Sequence, residues 1–205
     1  AKKFNQLEAN VKKGLWGDFA IAKPIHAVRG QTLGLLGCGR IARCLAVKAQ
    51  VFGIKVIAYD PYIKPEAVKD FGVTLVSREE LLAQSDFISM HLLLNEDTRK
   101  SINADFFKKM KISAIFVNTA RGGLVDEDAL IEALRTGEIA GAALDVLTEE
   151  GIDKDAPLQK FDNVIITPHA AWYSEQAFYT LLTSAAQEVV RALHGEPVKN
   201  QVNHF

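Results

Sequence analysis

From residue 31 to residue 168 the chain alternates short apolar runs with stretches of helical periodicity, and no other feature narrows its folding options as far. That alternation is the pattern of a parallel sheet joined by crossover helices. Strands are predicted at 32–36, 55–59, 74–76, 87–90, 115–118, 142–144 and 164–167. Helices are predicted between them at 40–52, 66–71, 79–84, 104–110 and 127–136. The strand runs carry continuous Leu, Ile, Val and Phe, which suits strands covered on both faces. Gly53 and Gly137 follow two of the helices, where a left-handed C-terminal cap belongs. The expected class is α/β, a doubly wound parallel sheet.

The flanks read differently. Residues 1–30 hold a charged amphipathic helix at 2–13 and then a Gly- and Pro-containing connector; residues 31–168 are the expected sheet domain. Residues 169–205 hold one long helix, 174–193, with Ser174 as its cap and Gly195 beyond its end. Neither flank is long enough to be a domain. Lys108, Lys109 and Lys111 form a basic cluster expected to be a solvated helix end.

With 24 basic and 25 acidic side chains, the formal charge of −1 lacks the electrostatic footprint of a nucleic-acid binder or a polybasic membrane-surface protein. No apolar run approaches the roughly 18 residues of a membrane span, and the first ten residues are too polar for a signal peptide. Cys38 and Cys44 are expected to be free thiols of a cytoplasmic protein rather than a disulfide or metal pair.

The segment Leu33-Gly34-Leu35-Leu36-Gly37-Cys38-Gly39-Arg40-Ile41-Ala42 reads as strand, glycine turn and helix start. Gly37 permits the turn, Gly39 lets the backbone approach a pyrophosphate, and Ala42 allows close helix–strand packing, the logic of a Rossmann-type dinucleotide loop. The helix start supplies unpaired N–H groups and partial positive charge. Such a motif alone is weak, but the next strand ends in Asp60, 21 residues beyond Gly39, where a carboxylate can accept from the adenosine ribose hydroxyls. An acid there repels a 2′-phosphate, so NAD is favoured over NADP.

Three further segments lie at or just beyond predicted strand ends. They are Asn118-Thr119-Ala120-Arg121-Gly122-Gly123-Leu124-Val125-Asp126, then Leu144-Asp145-Val146 with Glu150 beyond, then Thr167-Pro168-His169. Singly, Arg121 reads as a surface charge, Glu150 as a loop acid and His169 as a structural histidine. As a set they resemble the D-isomer-specific 2-hydroxyacid dehydrogenase family over nearly the whole chain. Within it, the run from His169 through Trp172 to Ala177, with Asp60-Pro61-Tyr62 and Leu94-Asn95-Glu96, is most similar to the branch containing the carboxy-terminal-binding-protein corepressors.

The resemblance implies Arg121, Glu150 and His169 as catalytic residues. It implies cofactor contacts from Gly37, Cys38, Gly39, Arg40, Ile41, Asp60, Leu92, Leu93, Leu94, Asn95, Thr98, Thr119, Ala120, Arg121, Asp145, His169 and Trp172. The chemistry agrees: reducing a 2-oxo acid needs a proton donor that titrates near neutrality, a carboxylate to raise that donor's pKa, and a guanidinium for the substrate carboxylate. Asp145 would hold the nicotinamide carboxamide, and Trp172 would form either an apolar wall or part of a core.

Gly151 stands where many relatives carry Pro after the catalytic acid, so Glu149 and Glu150 are both candidates to face inward, with the spacing from Asp145 favouring Glu150. Leu93 stands where a Pro is common. His91 is expected at the cleft rim, His194 at a helix end, and His26 and His204 in connector and tail.

The resemblance further implies a substrate lobe of about 100 residues, completed by the 174–193 helix, so this chain is expected to be a cofactor-binding fragment with flanking helices of an incomplete second domain. It also implies a homodimer acting on a small 2-oxo or 2-hydroxy acid. Two other readings compete: an NAD-sensing, corepressor-like binding protein, and a formate-type dehydrogenase. Sensing alone requires no acid–base pair, and formate needs no acid–base partner.

Overall fold

The computed structural model describes residues 3–17, 20, 23–151 and 153–201. The chain divides into two compact units, Ala1–Pro168 and His169–Phe205. His204, assigned to the tail above, lies outside the described residues.

The first unit is built on seven strands: β1 (Thr32–Leu36), β2 (Lys55–Tyr59), β3 (Thr74–Leu75), β4 (Phe87–Met90), β5 (Ile115–Asn118), β6 (Gly141–Leu144) and β7 (Val164–Ile166). They form one all-parallel sheet in the order β3-β2-β1-β4-β5-β6-β7, the expected doubly wound arrangement. The order reverses between β1 and β4, and ligand crevices of such sheets open at that point. Register matters as much as order. Leu36 pairs with both Tyr59 and Met90, Met90 with Asn118, and Asn118 with Leu144. Gly37, Asp60, His91, Thr119 and Asp145 therefore leave their strands side by side at one edge.

The crossover helices are α2 (Arg40–Val51), α3 (Arg78–Gln84), α4 (Ala104–Lys108) and α5 (Glu127–Thr136), preceded by α1 (Phe4–Lys12). Two apolar clusters sandwich the sheet. In one, Ala42, Ala46 and Ala49 of α2 lie against Leu33, Leu35, Val56 and Ala58; the small side chains bring helix and strands close together. In the other, α3 packs on β1 and β2, and α4 and α5 share the cluster with β4, β5 and β6. Phe106, Phe107 and Phe116 meet there edge to face, with ring centroids 5.5 to 6.2 Å apart. Each such fully buried ring contributes roughly 1.5–3 kcal/mol.

Local chemistry sets the element ends. Ser77 and Glu80 form a reciprocal capping box at the start of α3. The side chain of Asn103 caps α4, and left-handed Gly137 closes α5 as expected. The predicted helix at 66–71 is instead two 3-10 turns, Pro65–Ala67 and Lys69–Phe71. Pro65 offers no N–H, Val68 at φ −118° breaks the helical run, and left-handed Gly72 ends the segment, so no α-helical turn is completed. Of the lysine cluster, Lys108 and Lys109 are exposed at the end of α4 as expected, and Lys111 alone departs from that expectation. Lys111 pairs with Asp86 at 2.9 Å, while the other Asp86 oxygen accepts the Thr32 N–H at 2.8 Å.

The second unit is dominated by α6 (Glu175–Leu193), whose first turn is capped by Ser174 accepting the Ala177 N–H at 3.0 Å. None of its described residues is buried, and Phe178, Leu181, Leu182, Val189, Val190 and Leu193 are exposed. Among the described residues, no helix is long and apolar enough to cross a membrane.

Candidate functional site

The glycine turn between β1 and α2 shows why its residues are what they are. Gly37 sits at φ +92°, and a Cβ there would lie 2.8 Å from the His91 carbonyl oxygen. Backbone conformation and close packing both require glycine. A Cβ on Gly39 would meet nothing within 4 Å, so open space lies over the start of α2. No side chain caps that start among the described residues, which leaves first-turn N–H groups directed at the space. Ala42 is fully buried, as close helix–strand packing requires. Cys38 is buried and Cys44 exposed, both as free thiols. Burial raises the Cys38 thiol pKa, the main cause, while Arg43 opposes it.

Asp60 does more than its sequence position implied. One carboxylate oxygen accepts the Cys38 N–H at 2.8 Å and the other accepts the Tyr62 N–H at 3.0 Å. The acid thus ties the end of β2 to the middle of the glycine turn.

Across the crevice lies a cleft of about 530 Å³ lined by residues 39–42, 90–94 and 119–121. It brings together Gly39, Arg40, Ile41, Leu92, Leu93, Leu94, Thr119, Ala120 and Arg121, all singled out from the sequence, includes His91 as expected, and adds Met90. The His91 N–H donates to the Leu36 oxygen at 2.8 Å, and its Nε2 is 3.0 Å from the Ser89 hydroxyl. Burial lowers the His91 pKa to about 4, so the ring is neutral at physiological pH. Asn95 and Thr98 lock the next loop reciprocally: each backbone N–H donates to the other's side chain, at 2.8 and 2.9 Å. The Thr98 hydroxyl also donates to the Leu93 oxygen at 2.6 Å, so the loop is braced with Leu93 in place of proline.

Arg121 is exposed at the cleft rim and begins a 3-10 turn, Gly122–Leu124. The residue that shapes this turn is Asn118, 1% exposed. Its Nδ2 donates to the Arg121 oxygen and its Oδ1 accepts the Ala120 N–H, both at 3.0 Å. Sequence reasoning passed over Asn118 as a strand end, although an amide closing an apolar strand signals a backbone clamp.

Asp145, 4% exposed, donates its N–H to the Asn118 oxygen at 2.9 Å and accepts the Thr167 hydroxyl. Glu149 and Glu150 lie exposed in the following loop. His169 opens the second unit, half-buried and at φ +51°, a left-handed conformation uncommon outside glycine. Trp172, in the same unit, is 47% exposed and meets Tyr173 edge to face at 5.6 Å, so it is not part of a buried core. His194 caps the end of α6, 4.0 Å from Glu196, and His26 lies in the connector, as expected.

Comparisons with known proteins give a consistent picture. The profile described as "D-isomer specific 2-hydroxyacid dehydrogenase, NAD binding domain" matches residues 1–171. The chain is 44% identical over 204 residues to a D-3-phosphoglycerate dehydrogenase of Methanocaldococcus jannaschii, covering 99% of this chain and 38% of that protein. It is 42% identical over 178 residues to a glyoxylate reductase of Korarchaeum cryptofilum, covering 87% of this chain and 54% of that one. A crystal structure of D-lactate dehydrogenase with NAD+ from Lactobacillus jensenii superimposes with a TM-score of 0.87 at 32% identity, covering 99% of this chain and 64% of that chain. The chain thus spans less than two thirds of each of these proteins.

Proposed function

The chain belongs to the D-isomer specific 2-hydroxyacid dehydrogenase family, and from that membership we propose that it is the NAD-binding part of an oxidoreductase interconverting a 2-hydroxy acid and a 2-oxo acid. One observation carries the reading. The glycine turn, clamped by Asp60, and the Arg121 turn, clamped by Asn118, border a single cleft at the carboxyl ends of the strands.

NAD fits the residues present: the space over Gly39 admits a pyrophosphate, and the start of α2 offers N–H donors to it. Asp60 disfavours a 2′-phosphate by charge. NAD(H), when bound, supplies or accepts the hydride.

The chain's own residues supply the rest. Arg121 pairs with the substrate carboxylate and polarises the adjacent carbonyl. His169 delivers the proton to the carbonyl oxygen during reduction and removes it during oxidation. Glu150 is the carboxylate of this acid–base set, as the family resemblance implies. Asp145, held by Thr167, is the acceptor for the nicotinamide carboxamide, and Trp172 is an apolar wall.

A lobe outside this chain supplies the remaining substrate contacts, and α6 packs its exposed apolar residues against it. The protein is cytoplasmic and a homodimer in this reading, with the exposed Phe4, Val11 and Trp16 available to a second copy. The dehydrogenase and reductase names of the relatives support this over a corepressor-like NAD sensor, as does the Arg121, Glu150 and His169 set.

Two measurements test the proposal. Calorimetric titration of the chain should give tighter binding of NAD than of NADP; equal or tighter NADP binding overturns the cofactor assignment. The full-length protein should oxidise NADH with at least one member of a panel of 2-oxo acids. In it, His169→Ala should lower turnover by roughly 10²-fold or more.

A further inference from the structure

The loop that carries Glu150 has no regular secondary structure of its own, yet its backbone is held at three places. The Asp145 N–H donates to the Asn118 oxygen at 2.9 Å. Gly122 packs so closely on the loop that a Cβ there would lie 1.9 Å from the Leu147 oxygen. The Thr148 N–H donates to Oε1 of Glu127 at 2.5 Å.

Glu127 comes from the first turn of α5, where an acidic residue ordinarily serves only the helix dipole. Here its side chain reaches back to a backbone group 21 residues along the chain. The gap it lines with Asn118, Gly122, Leu144, Val146 and Leu147 has no room for a water molecule.

We infer that Glu127 is a positioning residue: it anchors the last held N–H before Glu150 and so sets where that carboxylate stands relative to the Arg121 turn. The Glu127–Thr148 bond lies two residues from Glu150, and the Gly122–Leu147 approach joins the same loop to the turn bearing Arg121. A charge-assisted bond to a backbone N–H is both short and directional, as such an anchor requires. The inference rests on the acid-pair role proposed above for Glu150.

Two measurements together test it. In the 205-residue chain, Glu127→Ala should accelerate amide exchange at Thr148 at least about tenfold. Glu127→Gln keeps a carbonyl acceptor and should leave exchange close to that of the unaltered chain. In the full-length protein, at saturating NADH, Glu127→Ala should lower kcat roughly tenfold with KM for NADH unchanged, and Glu127→Gln should restore most of it. In a Glu150→Gln background, Glu127→Ala should produce no further loss, because the anchor then has nothing left to position. An equal loss in that background, or identical behaviour of the Ala and Gln variants, overturns the positioning role. Wild-type turnover and an unaltered pH profile in Glu150→Gln would overturn the acid-pair role and this inference with it, whatever Thr148 exchange shows.

Discussion

Gly37 and His91 face one another, and each limits what the other can be. The turn at Gly37 combines φ +92° with a backbone approach that leaves no room for a methyl group. Gly37→Ala should therefore destabilise the fold by roughly 1–3 kcal/mol and weaken NAD binding, since relief of the clash displaces the turn proposed to receive the pyrophosphate. Thermal melts and calorimetry on the same variant check both effects; unaltered affinity would show that the turn is not the binding element. His91 carries a pH signature. Its pKa falls from 6.5 to about 4 by burial, so the folded state keeps a neutral ring while the unfolded chain takes up a proton below pH 6.5. Stability from this group is complete above about pH 6.5 and is lost as pH falls toward 4, with about 2 kcal/mol of the loss between pH 7 and pH 5. Urea denaturation at the two pH values should show that difference, and His91→Gln should shrink it. Equal pH slopes in the two proteins would contradict a neutral His91.

At the level of elements, short side-chain locks set ends that hydrophobic periodicity leaves vague. Ser77→Ala removes the capping box of α3 and should cost about 1 kcal/mol. Because α3 packs on the core away from the cleft, NAD affinity should stay unchanged; a parallel loss of affinity would show coupling that the packing does not contain. The 66–71 segment illustrates the opposite failure. Its composition is compatible with a helix, but Pro65 and Gly72 leave too few residues between them for α-helical bonds to repay nucleation. The loops after β4 and β5 were legible as chemistry-bearing, but not how they are held. Asn95 with Thr98, and Asn118 with Ala120 and Arg121, are contacts within three residues, a local polar signal that apolar periodicity does not register.

For the whole molecule, the parallel sheet closes with a core on each face inside residues 1–168, so the chain should fold and bind NAD by itself. Turnover should be far lower than in the full-length protein, because substrate positioning and water exclusion supply roughly 7–11 kcal/mol of barrier reduction and depend on a second wall. Assay of the two proteins side by side with the same 2-oxo acid decides the matter, and equal turnover would refute the two-lobed architecture. Sedimentation should give a species near twice 22.5 kDa; a monomer at high concentration would refute the homodimer.

Sheet class, the position of nearly every strand, the glycine turn and Asp60 follow from local sequence, because strand burial on both faces and a left-handed turn each demand residue types that stand out in a short window. Arg121, Glu150 and His169 were visible as residue types at or beyond strand ends, and the family resemblance joined them into a set. Strand order and register lie beyond any local window. They arise from pairings between distant segments, and they alone place Gly37, Asp60, His91, Thr119 and Asp145 along one edge. The long-range clamps belong to the same class. Asp60 on Cys38 and Glu127 on Thr148, 22 and 21 residues apart, became evident only in three dimensions, since a carboxylate on a distant backbone N–H leaves no periodicity and no motif behind.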